Sequence, residues 1–148
     1  MADEAIRAGA AKQPVPVFDE TPWTVPPPLA ASRVAVVTTA ALHASNDEPL
    51  HGGDESFRVI ESLADAVFGH GSPNFDRSGW LYDPNVVMPI DRLDELAGDG
   101  VIGSVAQRHL SFAGNQQETL TTIRLDSGPA AAKLLREDGV SVVVLTGV

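Results

Sequence analysis

Apolar residues occur in short blocks along the chain, and three of these blocks have the length and composition of β-strands. Residues 33–40 form a β-branched apolar run without polar alternation, which is typical of a strand covered on both faces, as in a parallel sheet. Residues 140–145 have a similar composition and follow a helix and a Gly turn, so they predict a second buried strand. Residues 101–112 contain a third predicted strand.

Helical spacing of apolar residues occurs in four segments between these strands. Residues 91–97 are predicted as a helix because Pro precedes them, Gly follows them and one apolar stripe runs along them: Ile90, Leu93, Leu96 and Ala97. Residues 129–137 predict another helix, since they begin with Pro, contain three consecutive Ala and stop before Gly139. Residues 54–66 and 116–125 also have helical spacing, although Thr lowers the helix propensity of the latter.

The order of these elements predicts an α/β domain over residues 33–148. We expect a mostly parallel sheet with helices on both faces, Rossmann-like or flavodoxin-like, with loops at residues 41–53 and 69–84. Residues 1–32 contain six prolines and predict an extended proline-rich N-terminal arm in the polyproline II conformation. Because Phe18 and Trp23 are costly to leave in water, we expect this arm to dock on a neighbouring surface.

Charge and composition narrow the class of function. Ten Lys and Arg against twenty Asp and Glu give a formal net charge of -10, which argues against binding to nucleic acid or to an anionic membrane. The chain has no cysteine, so a disulfide, a thiolate metal site and a cysteine nucleophile are excluded within it. No apolar run is long enough to span a bilayer and no signal-like segment opens the chain, which predicts a cytoplasmic protein.

The first loop gathers residues that can carry chemistry. His43, His51 and Asp54 offer imidazole and carboxylate ligands to a metal ion, or they form local hydrogen bonds only. Asp54 and Arg58 pair on the surface if this stretch is helical, or clamp a carboxylate if it is a loop. His70 lies in the second loop.

Two further places hold candidate residues. Arg92 lies in the first turn of a predicted helix, where a cation opposes the helix dipole, so an ion pair or an anionic ligand is expected beside it. His109 and Ser111 alternate onto the same face of a predicted strand, which permits a Ser–His couple. The chain has no Gly-x-Ser-x-Gly elbow and no Gly-x-Gly-x-x-Gly loop, which argues against a serine hydrolase and a nucleotide site.

Several segments resemble the selenoprotein B family of glycine/sarcosine/betaine/D-proline reductases. The more specific blocks are Pro-Ile-Asp-Arg-Leu at 89–93 and Gly-Val-Ile-Gly-Ser at 100–104. The matching segments occur in the family's order and cover most of the chain from residue 33: 33–43, 53–60, 83–93, 100–114 and 134–146.

The resemblance implies thiol-dependent reductive cleavage of a carbon–heteroatom bond in a small amino-acid-like or carboxylate substrate. In the family a cysteine or selenocysteine just after the final strand and its Leu-Thr is the nucleophile, and partner subunits of the reductases carry a pyruvoyl group. This sequence stops at Val148 and has no cysteine. We therefore expect no cofactor in this chain and a hetero-oligomer with a second polypeptide that carries the Cys-containing C-terminal part, from a split gene or a processed precursor. A truncated, non-catalytic relative is the alternative.

In open α/β sheets, ligands and catalytic groups lie just beyond the carboxyl ends of the strands, so we expect the chemistry at the carboxyl edge of this sheet. At this edge we predict one set of catalytic residues that move a proton: His43, Asp54 and His109. We predict a second set that binds the substrate, with an Arg holding its carboxylate: Arg58, His70, Arg92 and Ser111. A metal-dependent lyase or hydrolase that uses the histidine loop, and a non-catalytic scaffold subunit, remain open alternatives.

Overall fold

A computed structural model describes residues 2–12, 17, 19, 24–61, 78–116 and 119–147. Nine helices and strands occur in these residues: α1 Ala2–Ala10, β1 Arg33–Thr38, β2 Phe57–Ile60, α2 Ser78–Tyr82, α3 Ile90–Gly98, β3 Ser104–Val105, β4 His109–Phe112, α4 Gly128–Glu137 and β5 Val142–Thr146. They are joined by 3₁₀ turns at Leu29–Ala31 and Pro84–Val86 and by a π-helical turn, Ile123–Ser127, that runs into α4. No helix in this described part of the chain is long and apolar enough to cross a membrane.

The five strands form one mostly parallel sheet with β1 at its centre. On one side β1 pairs in parallel first with β3, at Arg33 and Val34, and then with β4, at Val37 and Thr38. On the other side it pairs in parallel with the whole of β5. The antiparallel strand β2 completes the sheet beyond β4. The order across the sheet is therefore β2, then β4 and β3 end to end, then β1, then β5.

Helices cover both faces of this sheet, as predicted. Alternate residues of β1 point to opposite faces: Val34 and Val36 pack with Trp80 of α2 and Leu93 of α3, while Ala35 packs with two buried residues of α4 on the other face, Ala131 and Leu135. The prediction of a first strand covered on both faces is confirmed, and so is the mixed α/β class with a mostly parallel sheet. The finer Rossmann-like or flavodoxin-like topology stays a prediction.

The two clearest sequence patterns for helices are confirmed at α3 and α4. Both helices end where a Gly adopts positive φ, Gly100 at 71° and Gly139 at 73°, a conformation that costs Gly little. The chain can therefore reverse directly into β3 and β5.

Other predictions from the sequence are wrong, or right only in part, in the described residues. A helix is expected over 54–66, but residues 57–60 form β2, because β4 offers them a pairing edge. Residues 62–66 lie outside the described residues. In the expected loop 69–84, residues 78–82 form α2, and residues 69–77 lie outside the described residues. Residues 101–112 contain two strands rather than one. The expected helix 116–125 is confirmed for residues 121–125 but not for 116, 119 and 120, and residues 117–118 lie outside the described residues.

The N-terminal arm and the last strand also differ from expectation. Residues 2–10 form a helix rather than extended chain, residues 24–28 are irregular and exposed, and most of the remaining proline-rich segment, with Phe18 and Trp23, lies outside the described residues. The strand β5 is not buried on both faces; its burial alternates, because it is the outer strand of the sheet.

Candidate active site at the carboxyl edge of the sheet

The carboxyl ends of β1, β4 and β5 lie at one edge of the sheet, because these three strands are parallel. The beginnings of the two covering helices lie there too. Ser127, just before α4, donates its hydroxyl to the Glu55 carbonyl at 2.6 Å, and Thr146 at the end of β5 donates to the Val87 carbonyl, shortly before α3, at 2.8 Å. The described connecting segments 39–56, 83–89, 113–116 and 119–127 therefore lie around this edge.

A buried serine fixes the path of the chain where it leaves β1. Ala41 adopts a left-handed conformation with φ of 51°, which is uncommon for a residue with a Cβ and marks a constrained turn. Its amide donates to the Phe112 carbonyl at 2.9 Å, and the next amide, of Leu42, donates to Ser111 Oγ at 2.7 Å. Ser111 has no exposed surface, so its hydroxyl acts here as an anchor for the loop that carries His43.

His43 is half-buried at the carboxyl edge. Its Nδ1 lies 3.0 Å from the Ala44 carbonyl. A carbonyl oxygen only accepts, so Nδ1 carries a proton, and in the neutral ring Nε2 is then the acceptor. This arrangement gives the loop a proton acceptor with a fixed ring tautomer.

Asp54 and Arg58 form a compact cluster at the start of β2. Asp54 Oδ1 accepts from both the amide and the hydroxyl of Ser56, at 2.9 and 2.6 Å. Arg58 donates through Nε to the Glu48 carbonyl at 2.7 Å and through Nη1 to Ser56 Oγ at 2.8 Å, while Nη2 lies 3.6 Å from Asp54 Oδ2. Burial alone would raise the pKa of Asp54, but the Ser56 hydrogen bonds and the Arg58 charge outweigh it and hold the pKa below 3.8. Asp54 is therefore an ionised, hydrogen-bonded anchor around neutral pH.

His109 lies inside the sheet rather than at its edge. Only 1% of its surface is exposed, and Nδ1 accepts a hydrogen bond from the Val36 amide, in the middle of β1, at 3.0 Å. Burial lowers the pKa of His109 below its ordinary 6.5, against a smaller opposing effect of a hydrogen bond to the Ala106 backbone. The neutral ring replaces a ladder hydrogen bond at the gap between β3 and β4.

A polar network caps α3 at the same edge. Asp83 Oδ1 accepts from the amide and side chain of Asn85, at 3.0 and 2.9 Å, and Asn85 in turn binds the Asp91 side chain and amide. The Asn85 hydrogen bonds lower the pKa of Asp83 below 3.8. Arg92 is 60% exposed and pairs with Glu95 at 2.8 Å, so the ion pair expected beside it is present.

His43, the Asp54–Arg58 cluster and Ser111 thus lie in segments at this edge, whereas His109 lies within the sheet and Arg92 on the helix surface. His51 is exposed and His70 lies outside the described residues. Within those residues no group of three His, Asp or Glu is placed to hold a metal ion. The catalytic and substrate-binding roles of all seven candidates stay predictions.

The site predicted from the sequence does not include Thr38, Thr146 or Gln116, whose hydrogen bonds fix the backbone at this edge. Thr38 Oγ1 accepts from the Ala40 amide at 3.2 Å, and the Thr146 carbonyl accepts from the Thr39 amide at 3.0 Å. Gln116 Nε2 donates to the Asp54 and Ala113 carbonyls, at 2.7 and 2.8 Å. The threonines have a signal in the sequence, since each ends an apolar run. Gln116 has none, because both of its partners are backbone carbonyls and one of them is 62 residues away.

Comparison with known proteins gives consistent matches. The family model for glycine/sarcosine/betaine reductase selenoprotein B matches residues 12–148. The chain is 34% identical over 139 residues to D-proline reductase subunit gamma of Acetoanaerobium sticklandii, covering 89% of this chain and 55% of that protein. It is 31% identical over 146 residues to sarcosine reductase complex component B subunit beta of Peptoclostridium acidaminophilum, covering 90% of this chain and 32% of that protein.

A third relative is glycine reductase complex component B subunit gamma of Carboxydothermus hydrogenoformans, 26% identical over 144 residues. The chain spans about half of the first relative and about a third of the other two. No solved structure matches significantly. The resemblance read from the sequence blocks is confirmed: this chain belongs to the glycine/sarcosine/betaine reductase selenoprotein B family.

Proposed function

We propose that this chain is a subunit of a two-chain, reductase-type enzyme that cleaves a carbon–heteroatom bond in a small amino-acid-like or carboxylate substrate. The observation that carries the proposal is the family match over residues 12–148. The relatives that this chain resembles are named as subunits of D-proline, sarcosine and glycine reductases. The carboxyl edge, where three parallel strands end together, is the natural place for the substrate.

The nucleophile of this reaction comes from outside the chain, which has no cysteine. We propose that a partner polypeptide, or a processed C-terminal part, brings a cysteine or selenocysteine to the carboxyl edge. That thiolate or selenolate supplies the nucleophile for the bond cleavage. A pyruvoyl group, if the complex uses one, belongs to a partner subunit as well.

The chain's own part is to position the substrate and to move a proton. His43 is our candidate for the proton carrier, because its ring is fixed through Nδ1 and its Nε2 is an acceptor in the neutral form. Arg58 Nε and Nη1 bind groups of its own loop, so a substrate carboxylate would approach through Nη2, whose contact with Asp54 is long. Asp54, Ser111 and His109 then hold the loop and the strands that present these two groups. Arg92 and His70 remain candidates for substrate binding.

Substitution of His43 in the purified complex tests the proton-moving role. We expect His43→Ala to lower kcat about 10²-fold or more, the usual scale for general acid–base catalysis. Turnover of glycine, sarcosine and D-proline is measured with a dithiol as reductant. His51→Ala is the matched control, since His51 is an exposed imidazole of the same loop. Equal, near-native turnover of both variants would contradict the assignment.

The source of the nucleophile is tested separately by alkylation. Complete alkylation of the complex with iodoacetamide is expected to abolish turnover while leaving this cysteine-free chain at its original mass. Full activity after complete alkylation would exclude a thiol mechanism. If the complex is active but tolerates Ala at His43, Asp54 and Arg58, the chain is a scaffold subunit.

A further inference from the structure

The outer strand β5 carries apolar side chains that the described structure leaves in water. Val142 and Val144 pack against the core beneath them, whereas Leu145 is 77% and Val143 40% exposed on the opposite face. Beyond its pairing with β1, the strand pairs with no other strand in residues 24–61, 78–116 and 119–147. An exposed apolar strand at an unpaired edge is a template for pairing with another chain, and proteins normally cover or charge such an edge.

Exposed apolar side chains also occur near the carboxyl end of β5, on the face of the sheet that carries α2 and is opposite to Val143 and Leu145. Thr146 binds the Val87 carbonyl at 2.8 Å, and the segment directly before this carbonyl carries Tyr82, 92% exposed, and Val86, 61% exposed. We call Val143, Leu145 and the outer backbone edge of β5 the β5 surface. It reaches the edge of the sheet at which the loop of His43 begins.

We infer that the β5 surface is the docking site for a β-strand of the thiol-bearing partner chain, an inference that rests on the proposed function. Such a strand would extend the sheet by backbone hydrogen bonds and would cover Leu145 and Val143 with its own apolar side chains. Because β5 ends at the carboxyl edge, residues at one end of the added strand come to lie beside the substrate site.

Two observations favour a partner subunit over a second copy of this chain. The matched stretch covers 55% of one relative and 32% of two others, so those proteins carry much further polypeptide beside the matched stretch. A net charge of -10 on each copy opposes self-association. The strand that fits the surface therefore has alternating apolar residues and basic flanks.

The test compares two leucines that are equally exposed. Leu145→Asp changes the β5 surface. Leu125→Asp changes a residue of 76% exposure in the π-helical turn, which contacts the loop before β2 through Ser127. The strand β2 lies on the side of the sheet opposite to β5. The full chain, tagged at its N-terminus, is expressed in its source organism and its complexes are purified. Subunits are identified by intact mass, and amide hydrogen exchange is compared between the isolated chain and the complex.

We expect the amount of cysteine-bearing subunit that co-purifies with Leu145→Asp to be at least tenfold lower than with wild type. The amount that co-purifies with Leu125→Asp is expected to equal that of wild type. In the wild-type complex the β5 amides are expected to exchange more slowly than in the isolated chain. The exchange measurement on the wild-type complex tests the docking site even if Leu145→Asp does not fold. Equal binding by both variants with unchanged β5 exchange would overturn the docking site but not the proposed function. A β5-mediated dimer of this chain alone would also overturn it, whereas a β5-bound partner without cysteine would overturn the thiol mechanism.

Discussion

A single imidazole holds together two strands where the regular ladder is interrupted. His109 Nδ1 accepts from the Val36 amide at 3.0 Å, and both residues are buried. We expect His109→Leu to lower the free energy of unfolding by about 1–3 kcal/mol, because it leaves a buried amide without an acceptor. Urea denaturation of the purified chain measures this.

The control for that substitution is His109→Asn, which is close to Leu in size but keeps an acceptor at the same distance along the side chain. We expect Asn to recover part of the lost stability. A His109→Leu chain as stable as wild type would show that the Val36 hydrogen bond contributes nothing.

At this scale the sequence predicts which side chains share a face but not what they bind. His109 and Ser111 were expected on one face of a strand, and both are buried on the face that packs against α2 and α3. Their partners are backbone amides of Val36 and Leu42. Those contacts depend on the break between β3 and β4 and on the turn after β1, neither of which leaves a periodic signal.

At the scale of elements, β3 begins where two backbones approach closely. A Cβ on Gly103 would lie 2.9 Å from both Ala31 C and Ser32 O, and the Gly103 amide donates to the Ser32 carbonyl at 3.0 Å. We expect Gly103→Ala to destabilise the chain by about 1–3 kcal/mol, since backbone rather than a flexible side chain must move. Thermal unfolding followed by circular dichroism measures the loss.

The matched control is Gly98→Ala in the last turn of α3, where an added Cβ meets nothing within 4 Å. We expect this change to be neutral or to stabilise by about 0.5–1 kcal/mol, because Ala is a better helix former than Gly. Equal losses at Gly98 and Gly103 would mean that the close approach is not the cause.

Elements whose own residues decide their conformation were predicted well, and elements decided by distant pairing were not. The helix α3 has its apolar stripe, its Pro and its Gly within a dozen residues, so the pattern is sufficient. The strand β2 is short and becomes a strand only because β4 pairs with it. The outer position of β5 is likewise a property of the sheet order, which no local pattern records.

At the scale of the whole molecule, acid is expected to destabilise the fold in two separate windows. Burial lowers the pKa of His109 in the folded state below 6.5, so the unfolded chain binds more protons and stability falls as pH drops below about 6.5. Hydrogen bonds hold the pKa of Asp54, Asp83 and Asp138 below 3.8, from Ser56, Asn85 and Arg108 respectively. Their contribution is present above pH 3.8 and is lost as pH falls further.

The substitution His109→Asn separates these windows, because it removes the buried imidazole and leaves all three carboxylates in place. Between pH 7 and the lowered pKa of His109, we expect the free energy of unfolding of this variant to change less with pH than that of wild type. Below pH 3.8 we expect both proteins to lose stability. One titrating group limits the upper slope to about 1.4 kcal/mol per pH unit. Urea denaturation at a series of pH values gives both curves. Parallel curves above pH 4 would mean that His109 takes up its proton within the fold without cost, and so that its Nδ1 is not the acceptor on which β1 depends.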